Sequence, residues 1–405
     1  MADTPWLTII GLGEDGPNGL TAASREALQN AEIVMGAARH LALVPELIAE
    51  TAETAETIEW PVPYADGVAQ LLAFKGRNVV VLASGDPFWF GAGTVLTAHL
   101  KRHEWRTFPG ASTFSLAASR LGWPLEKTLC LGLHARPFAH LRPHLSPGAQ
   151  IFVLLRDGDA VSDLAGWITE LGFGDSQLHV LEALGGPRER SRETRAANMT
   201  LTDIAHPVCL AINVQGNGAA LTLATGRPDD VFANDGQITK RPVRALTLSA
   251  LAPKRGEHLW DIGSGSGSIA IEWLLGHPDM TATAIEANAP RANRIVTNAA
   301  TLGGERLEVV IGTAPDALHG LPRPDAVFVG GGLSSNMLSQ LWDLMTPGTR
   351  LVANAVTLES ETLLAIWHQS HGGDLMRIEL ANAAPLGSKR GWKSAYPIVQ
   401  WSVIR

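Results

Sequence analysis

Residues 259 to 273 read Leu259-Trp-Asp-Ile-Gly-Ser-Gly-Ser-Gly-Ser-Ile-Ala-Ile-Glu-Trp273. An apolar pair, three glycines at alternate positions and a second apolar run spell strand, turn and helix, the helix being predicted from Ser268 to Leu275. Glycines at this spacing let the backbone approach a ligand closely, and the turn presents free N–H groups at a helix start. Working outward, apolar strands are predicted at Leu259–Asp261, Ala282–Ile285, Leu307–Ile311, Ala326–Val329 and Thr349–Asn354, with helical stretches between them. Such alternation builds a doubly wound, Rossmann-like α/β sheet.

A dinucleotide fingerprint wants Gly or Ala where Ser268 stands, so the turn is Gly-x-Gly-x-Gly (Gly263, Gly265, Gly267) instead. Asp261 precedes it, and Glu286 closes the next strand. Acid, glycines, acid is an arrangement suited to S-adenosylmethionine. Glu286 would accept both ribose hydroxyls, while Asp261 and the glycine turn would hold the methionine end with its ammonium. An NAD-binding turn or an ordinary tight βα turn reads the same residues differently. Gly330-Gly-Gly332, after the fourth strand, marks another close backbone approach.

The chain has 405 residues, more than one core usually holds, so two domains are expected. With 45% hydrophobic and 18% charged residues it belongs with globular proteins, not disordered ones. Its formal net charge of −8 argues against nucleic-acid or membrane-surface binding. Acidic substrates must therefore meet local basic patches. Cys130 and Cys209 stand among apolar neighbours and read as buried free thiols, which fits a reducing, cytoplasmic compartment. The opening Met1-Ala-Asp-Thr-Pro-Trp6 has no basic run, so no secretory leader is expected. No apolar run approaches the roughly 20 residues that span a bilayer.

The first half repeats the strand-to-loop theme. Trp6–Ile10 runs into Gly11-Leu-Gly-Glu-Asp-Gly-Pro-Asn-Gly19 before a helix over Leu20–Ala31 that Thr21 can cap. Asn78–Ala83 runs into Ser84-Gly-Asp-Pro-Phe-Trp-Phe-Gly-Ala-Gly93 before a helix over Thr94–Leu100, and Pro109-Gly-Ala-Ser-Thr113 precedes a helix over Phe114–Leu121. Further strands are predicted at Gln150–Leu155 and Val208–Val214, with a helix over Val161–Leu171. His134, His140 and His144 match no common ligand spacing, and no metal site is expected. Arg188, Arg190, Arg192 and Arg195 could pair with substrate carboxylates or form a solvated turn with Glu189 and Glu193.

These loops carry a resemblance. Gly11, Gly13 and Pro17, then Ser84 to Pro87, then Pro109 to Thr113, with Glu182-Ala-Leu-Gly185 further on, resemble the tetrapyrrole methylase family. The resemblance implies a two-subdomain methylase fold over residues 1 to 214. It also implies that S-adenosylmethionine lies folded between the subdomains, near Pro17, Gly85, Asp86, Ser112 and Thr113. Without the family, Asp86 reads as a turn residue before proline. The Gly-, Asn- and Pro-rich stretch 215–236 reads as a linker.

Residues 237 to 405 resemble the class I methyltransferases that decarboxylate and methylate precorrin-6-type substrates. Thr239-Lys240, Asp261 to Gly267, Glu286, Gly312 to Leu318, Phe328 to Gly332 and Asn354 to Glu359 carry the likeness. It implies a second S-adenosylmethionine site at Thr239, Asp261, Gly263, Gly265, Gly267, Glu286, Thr313, Ala314 and Gly330. Where relatives often carry Asp, this chain has Thr313.

The fused order implies methylation of a cobalamin precursor at C-5 by the first half, and at C-15 by the second with loss of carbon dioxide from the C-12 acetate. Arg188, Arg190, Lys240, Arg241, Arg244, Lys389, Arg390 and Lys393 are candidates for holding substrate carboxylates, some of which would otherwise be surface charges. No catalytic acid or base stands out. The macrocycle carbon is already an enamine-like nucleophile and the sulfonium already activated, so alignment and exclusion of water supply much of the acceleration. Relatives of both halves assemble, so a homo-oligomer is expected. A two-site methyltransferase acting on another planar substrate, or one half serving as a donor sensor, are the competing readings.

Overall fold

The computed structural model describes residues 5–51 and 55–405. The chain divides into two compact units, Met1–Phe138 with Leu145–Ala219, and Ala139–His144 with Ala220–Arg405.

In the first unit, β1 (Leu7–Leu12), β2 (Ile33–Gly36), β3 (Glu56–Glu59), β4 (Val79–Ser84) and β5 (Trp105–Phe108) form a parallel sheet in the order β3-β2-β4-β1-β5. A parallel sheet covered on both faces favours apolar residues on both sides, which is why β1 and β4 are almost wholly apolar, Thr8 of β1 being buried with its hydroxyl bonded by Arg106. Leu7 and Ile9 pack into one core, Ile10 and Leu12 into the core on the opposite face. Leu12 pairs with Ser84, so the loops after β1 and β4 leave the sheet at one level. A Cβ at Gly11 would fall on Gly85 O and Gly110 N; only glycine lets the three loops meet there.

A second sheet in this unit comprises β6 (Leu129–Gly132), β7 (Gln150–Leu155), β8 (Gln177–Glu182), β9 (Arg190–Arg195) and β10 (Val208–Asn213), ordered β6-β7-β10-β8-β9. Only β6 and β7 run parallel. The expected two-subdomain architecture is present. Of the arginine-rich segment, Arg190, Arg192 and Arg195 lie on the edge strand β9, while Arg188 lies in the turn before it. Thr21 and Ser112 cap their helices as N-caps, while the helices expected at Thr94–Leu100 and Val161–Leu171 lie at Ala92–Thr97 and Gly158–Ile168. Cys209 is buried and Cys130 partly so, both free.

The second unit contains β11 (His258–Ile262), β12 (Thr281–Glu286), β13 (Leu307–Ile311), β14 (Ala326–Val329), β15 (Arg350–Ala355), β16 (Asp374–Ile378), a hairpin of β17 (Ala381–Leu386) and β18 (Lys389–Ser394), and β19 (Ile398–Ile404). Its sheet order is β13-β12-β11-β14-β15-β19-β16, with β19 antiparallel to both neighbours. Order reverses between β11 and β14, the switch point at which open α/β sheets place ligands. Leu259 faces one core, Trp260 and Ile262 the other. The glycine turn leads into the helix Ser268–Leu274, close to expectation.

The stretch 215–236 is not a free tether. Gly218 N bonds Gly172 O in the first unit, and from Ala220 onward the chain belongs to the second. There Leu221 and Phe232 enter the core, and Gly226 and Arg227 donate backbone N–H bonds to Glu272. Glycines and prolines here shape a strap that packs, which composition alone does not distinguish from a linker. Among the described residues, no helix is long and apolar enough to cross a membrane.

Candidate active sites

Each unit holds a large cavity at the ends of its parallel strands. In the first, about 570 Å³ is lined by loops after β1, β2, β4 and β5 together with residues of the second sheet. Gly85, Asp86, Ser112 and Thr113, the residues read as donor contacts, all line it. Ser112 Oγ accepts from Ser115 N at 3.0 Å, setting a helix start against the cavity. Asp86 Oδ1 accepts from Phe88 N at 2.9 Å and shapes its own loop. Pro17 does not line the cavity; it sits in a short 3₁₀ turn, where its carbonyl accepts from Arg25.

Sequence reasoning missed a polar wall of this cavity, made by Glu14, Arg39, His40, Ser84 and His206. Arg39 Nη1 pairs with Glu14, and its Nη2 lies 2.8 Å from Ser84 Oγ and 3.0 Å from His40 Nε2. His40 Nε2 lies 2.9 Å from Ser84 Oγ. Burial first, then the Arg39 guanidinium, pushes His40 down to about 4, so its ring is neutral near pH 7. His206 is lowered by the same two causes. Nothing in a motif pointed to Arg39 and His40: they follow β2, and only the strand order sets them beside the loop after β4.

The second cavity, about 650 Å³, sits at the switch point of its sheet. Thr239, Gly263, Gly265, Glu286, Thr313, Ala314 and Gly330 line it. Gly263, Gly265 and Gly267 all have positive φ, and a Cβ at Gly263 would press on the backbone of Gly331 at 2.8 Å. Close contact of the two switch loops therefore depends on that glycine. Glu286 is 6% exposed; its Oε2 accepts from Gly265 N at 2.8 Å and its Oε1 from Asn288 N at 2.9 Å. Each oxygen keeps a lone pair, so the carboxylate can still accept from a ligand diol.

Asp261 and Gly267 do not line the cavity. Asp261 is fully buried behind the turn, where its Oδ2 accepts from Ser264 Oγ at 2.7 Å and from Ala270 N at 3.1 Å. Its Oδ1 is buried without a hydrogen-bond partner among the described residues. Burial raises its carboxyl to about 6. Gly267 serves the helix start, where a Cβ would strike Ile295. An orphaned carboxylate oxygen beneath a glycine turn, with Glu286 bonded to the same turn at Gly265, is a set of acceptors that fits a ligand bearing both an ammonium and a ribose.

Of the cationic candidates, Lys240 lines the second cavity. Lys389 and Arg390 are exposed on β18, outside its lining, although Tyr396 just beyond the hairpin stands at the rim. Arg190 is committed to Glu182, which is fully buried and also meets Arg192 at 2.6 Å. Arg188 lies outside the first cavity's lining and binds Glu14 at 2.9 Å. The structure thus makes β9 a network of ion pairs, with Arg190 outside the lining of both described cavities.

Family models match both units: Tetrapyrrole (Corrin/Porphyrin) Methylases over residues 6–200 and Precorrin methyltransferase domain over residues 230–405. Two unrelated methyltransferase folds in one chain define its class. A Sinorhizobium protein named precorrin-6Y C(5,15)-methyltransferase [decarboxylating] is 49% identical over 98% of this chain and 96% of its own length. A Mycobacterium tuberculosis protein of the same name is 39% identical over 98% of this chain and 100% of its own. The chain belongs to the family of decarboxylating precorrin-6Y C(5,15)-methyltransferases. A Salmonella typhimurium protein named cobalt-precorrin-6B C(15)-methyltransferase (decarboxylating) is 33% identical over 42% of this chain and 91% of its own length.

Proposed function

We propose that this enzyme methylates precorrin-6Y at C-5 and C-15 and removes carbon dioxide from the C-12 acetate, giving precorrin-8X for cobalamin biosynthesis. The observation that carries the reading is the pair of cavities, one at the strand ends of each methyltransferase unit. A Salmonella typhimurium relative named for the C(15) reaction alone and alike over 42% of the chain supports one methylation per unit. The methyl donor is S-adenosylmethionine, which supplies an electrophilic methyl on sulfonium. We assign one donor site to each cavity.

In the second unit Glu286 receives the ribose, Gly263, Gly265 and Gly330 admit the backbone closely, and Thr313 and Ala314 flank the adenine. Asp261 acts from behind, through Ser264 and its unpartnered oxygen, on the ammonium end. In the first, Gly85, Asp86, Ser112 and Thr113 form the donor wall. Apolar lining around both sites excludes water and aligns an already nucleophilic carbon, so the residues need not supply a strong base. Lys240 neutralises a substrate carboxylate in the second cavity. A cytoplasmic location and self-association belong to the same reading.

The test is a mass spectrum of a cobalt-free precorrin-6-type macrocycle after incubation with the chain and isotopically labelled donor. Two labelled methyls with loss of carbon dioxide are expected. Glu286→Ala should remove the C-15 methyl and keep the C-5 methyl; loss of both, or of neither, contradicts one site per unit.

A further inference from the structure

The polar wall of the first cavity carries more charge than its own contacts need. Glu14 has a nearly buried side chain, 6% exposed, and two guanidiniums bind it, Arg39 on Oε1 and Arg188 on Oε2 at 2.9 Å. One carboxylate cannot neutralise two guanidiniums. Arg188 is 57% exposed and outside the lining, so water serves it. Arg39 is 28% exposed and lines the cavity, so its share of the excess faces an enclosure walled largely by apolar groups such as Leu12, Trp89 and Leu184. A guanidinium so placed pairs strongly with an anion that enters.

The remaining contacts of Arg39 are neutral. Its Nη2 is shared between His40 Nε2 and Ser84 Oγ, neither of which cancels charge. Five N–H donors serve these partners, and a planar fork suits a carboxylate. The other titratable groups in the lining are His134, His206, Tyr64 and Asp86, the last belonging to the donor loop. Position separates this anion from the donor wall at Ser112 and Thr113, while through Ser84 Arg39 adjoins the Gly85–Asp86 end of that wall. Arg39 follows β2, and β2 stands three strands from β5, whose loop carries Ser112 and Thr113; at a strand spacing of ~4.8 Å this is roughly 14 Å.

We propose that Arg39, aimed by Glu14, receives a carboxylate arm of the tetrapyrrole substrate in the first cavity and so sets which macrocycle carbon meets the donor. This rests on the reading of that cavity as the C-5 methylation site. Arg39 is the binding group, while Glu14 is a positioning residue that acts through it.

The experiment compares Arg39→Gln, Arg39→Lys, Glu14→Gln and Arg188→Gln in the full chain. Donor binding is measured by calorimetry without macrocycle, and labelled methyl at C-5 and C-15 is read separately. Arg39→Gln is expected to raise KM for C-5 methylation at least tenfold, leaving C-15 methylation and donor affinity within twofold of wild type. Arg39→Lys should recover part of the KM, Glu14→Gln should raise it severalfold, and Arg188→Gln should stay within twofold. Methyl esterification of the macrocycle carboxylates should cost wild type its KM advantage over Arg39→Gln. An unchanged KM in Arg39→Gln, or weakened donor binding before macrocycle is added, overturns the proposal. If Arg39→Gln does not fold, an unchanged KM in Arg39→Lys overturns it equally. A wild-type chain that methylates at C-15 and never at C-5 overturns the reading of the cavity, and the proposal with it.

Discussion

Arg244 and Glu272 are both fully buried and meet at 2.7 Å, Nε on Oε1, beneath the strap that leads into the second unit. Glu272 also accepts from the N–H groups of Gly226 and Arg227, and Arg244 stacks on Phe232 at 4.9 Å. The strap continues to Gly236–Lys240, which line the second cavity. Glu272 also carries Arg227 at 3.5 Å, so removing it leaves two buried guanidiniums with only Asp229 among the described residues, 3.0 Å from Arg244, as a counter-charge. Glu272→Ala should therefore destabilise the second unit by about 3–5 kcal/mol, measured by denaturant unfolding. It should also weaken donor binding there, because the cavity wall loses its anchor. A variant with wild-type stability would mean that the ion pair carries no net weight.

Asp261 gives a pH signature. Its folded carboxyl titrates near 6, above the roughly 3.9 of an unfolded aspartate, so the native state holds the proton more tightly. The contribution is present below pH 4 and is lost as pH rises through 6. Relative to Asp261→Asn, wild type should gain on the order of 2–3 kcal/mol between pH 7 and pH 4. Parallel stability curves for the two proteins would refute this. Because Oδ1 is unpartnered and faces no donor of the chain, the variant should also bind S-adenosylmethionine at least tenfold more weakly at the second site.

His40 has the opposite sign. Its folded value near 4 lies below the unfolded 6.5, so the unfolded state binds the extra proton first. Stability from this group is full above pH 6.5 and falls as pH drops toward 4, by on the order of 3 kcal/mol. His40→Gln should flatten that limb. Unfolding of wild type and variant at pH 7.5 and pH 4.5 measures it; an equal loss in both would exclude His40 as the titrating group.

How much of this was legible depended on whether a feature is local in the chain. β1, β4 and β11 announce themselves as largely apolar runs that end in glycine loops, and Thr21 as a cap, because backbone geometry demands those residue types in sequence. β16 to β18 escaped, since exposed strands carry no apolar signature. The wall of Arg39, His40 and Ser84 escaped for a different reason: residues 45 apart become neighbours only once β2 pairs with β4. Arg190 looked free because its partner Glu182 lies on the adjacent strand. Asp261 was recognised by its place before the glycines, yet the register puts it behind the turn.

Two glycines test whether both sites rest on close backbone approach. Gly263 has a φ of +69°, where an L side chain is strained, and a Cβ there meets the backbone of Gly331 at 2.8 Å. At Gly11 the obstruction is the backbone of Gly85 and Gly110, which cannot give as a flexible side chain would. Gly263→Ala should part the switch loops, lower donor affinity at the second site at least tenfold and cost roughly 1–3 kcal/mol of stability. Gly11→Ala should do the same at the first site, since the loops bearing Gly13, Gly85 and Ala111 leave the sheet around it. Calorimetry with S-adenosylmethionine resolves the two sites as stoichiometry: each single variant should titrate about one equivalent where wild type titrates two. If either variant removes both equivalents, the cavities do not bind independently, and the assignment of one donor to each unit fails.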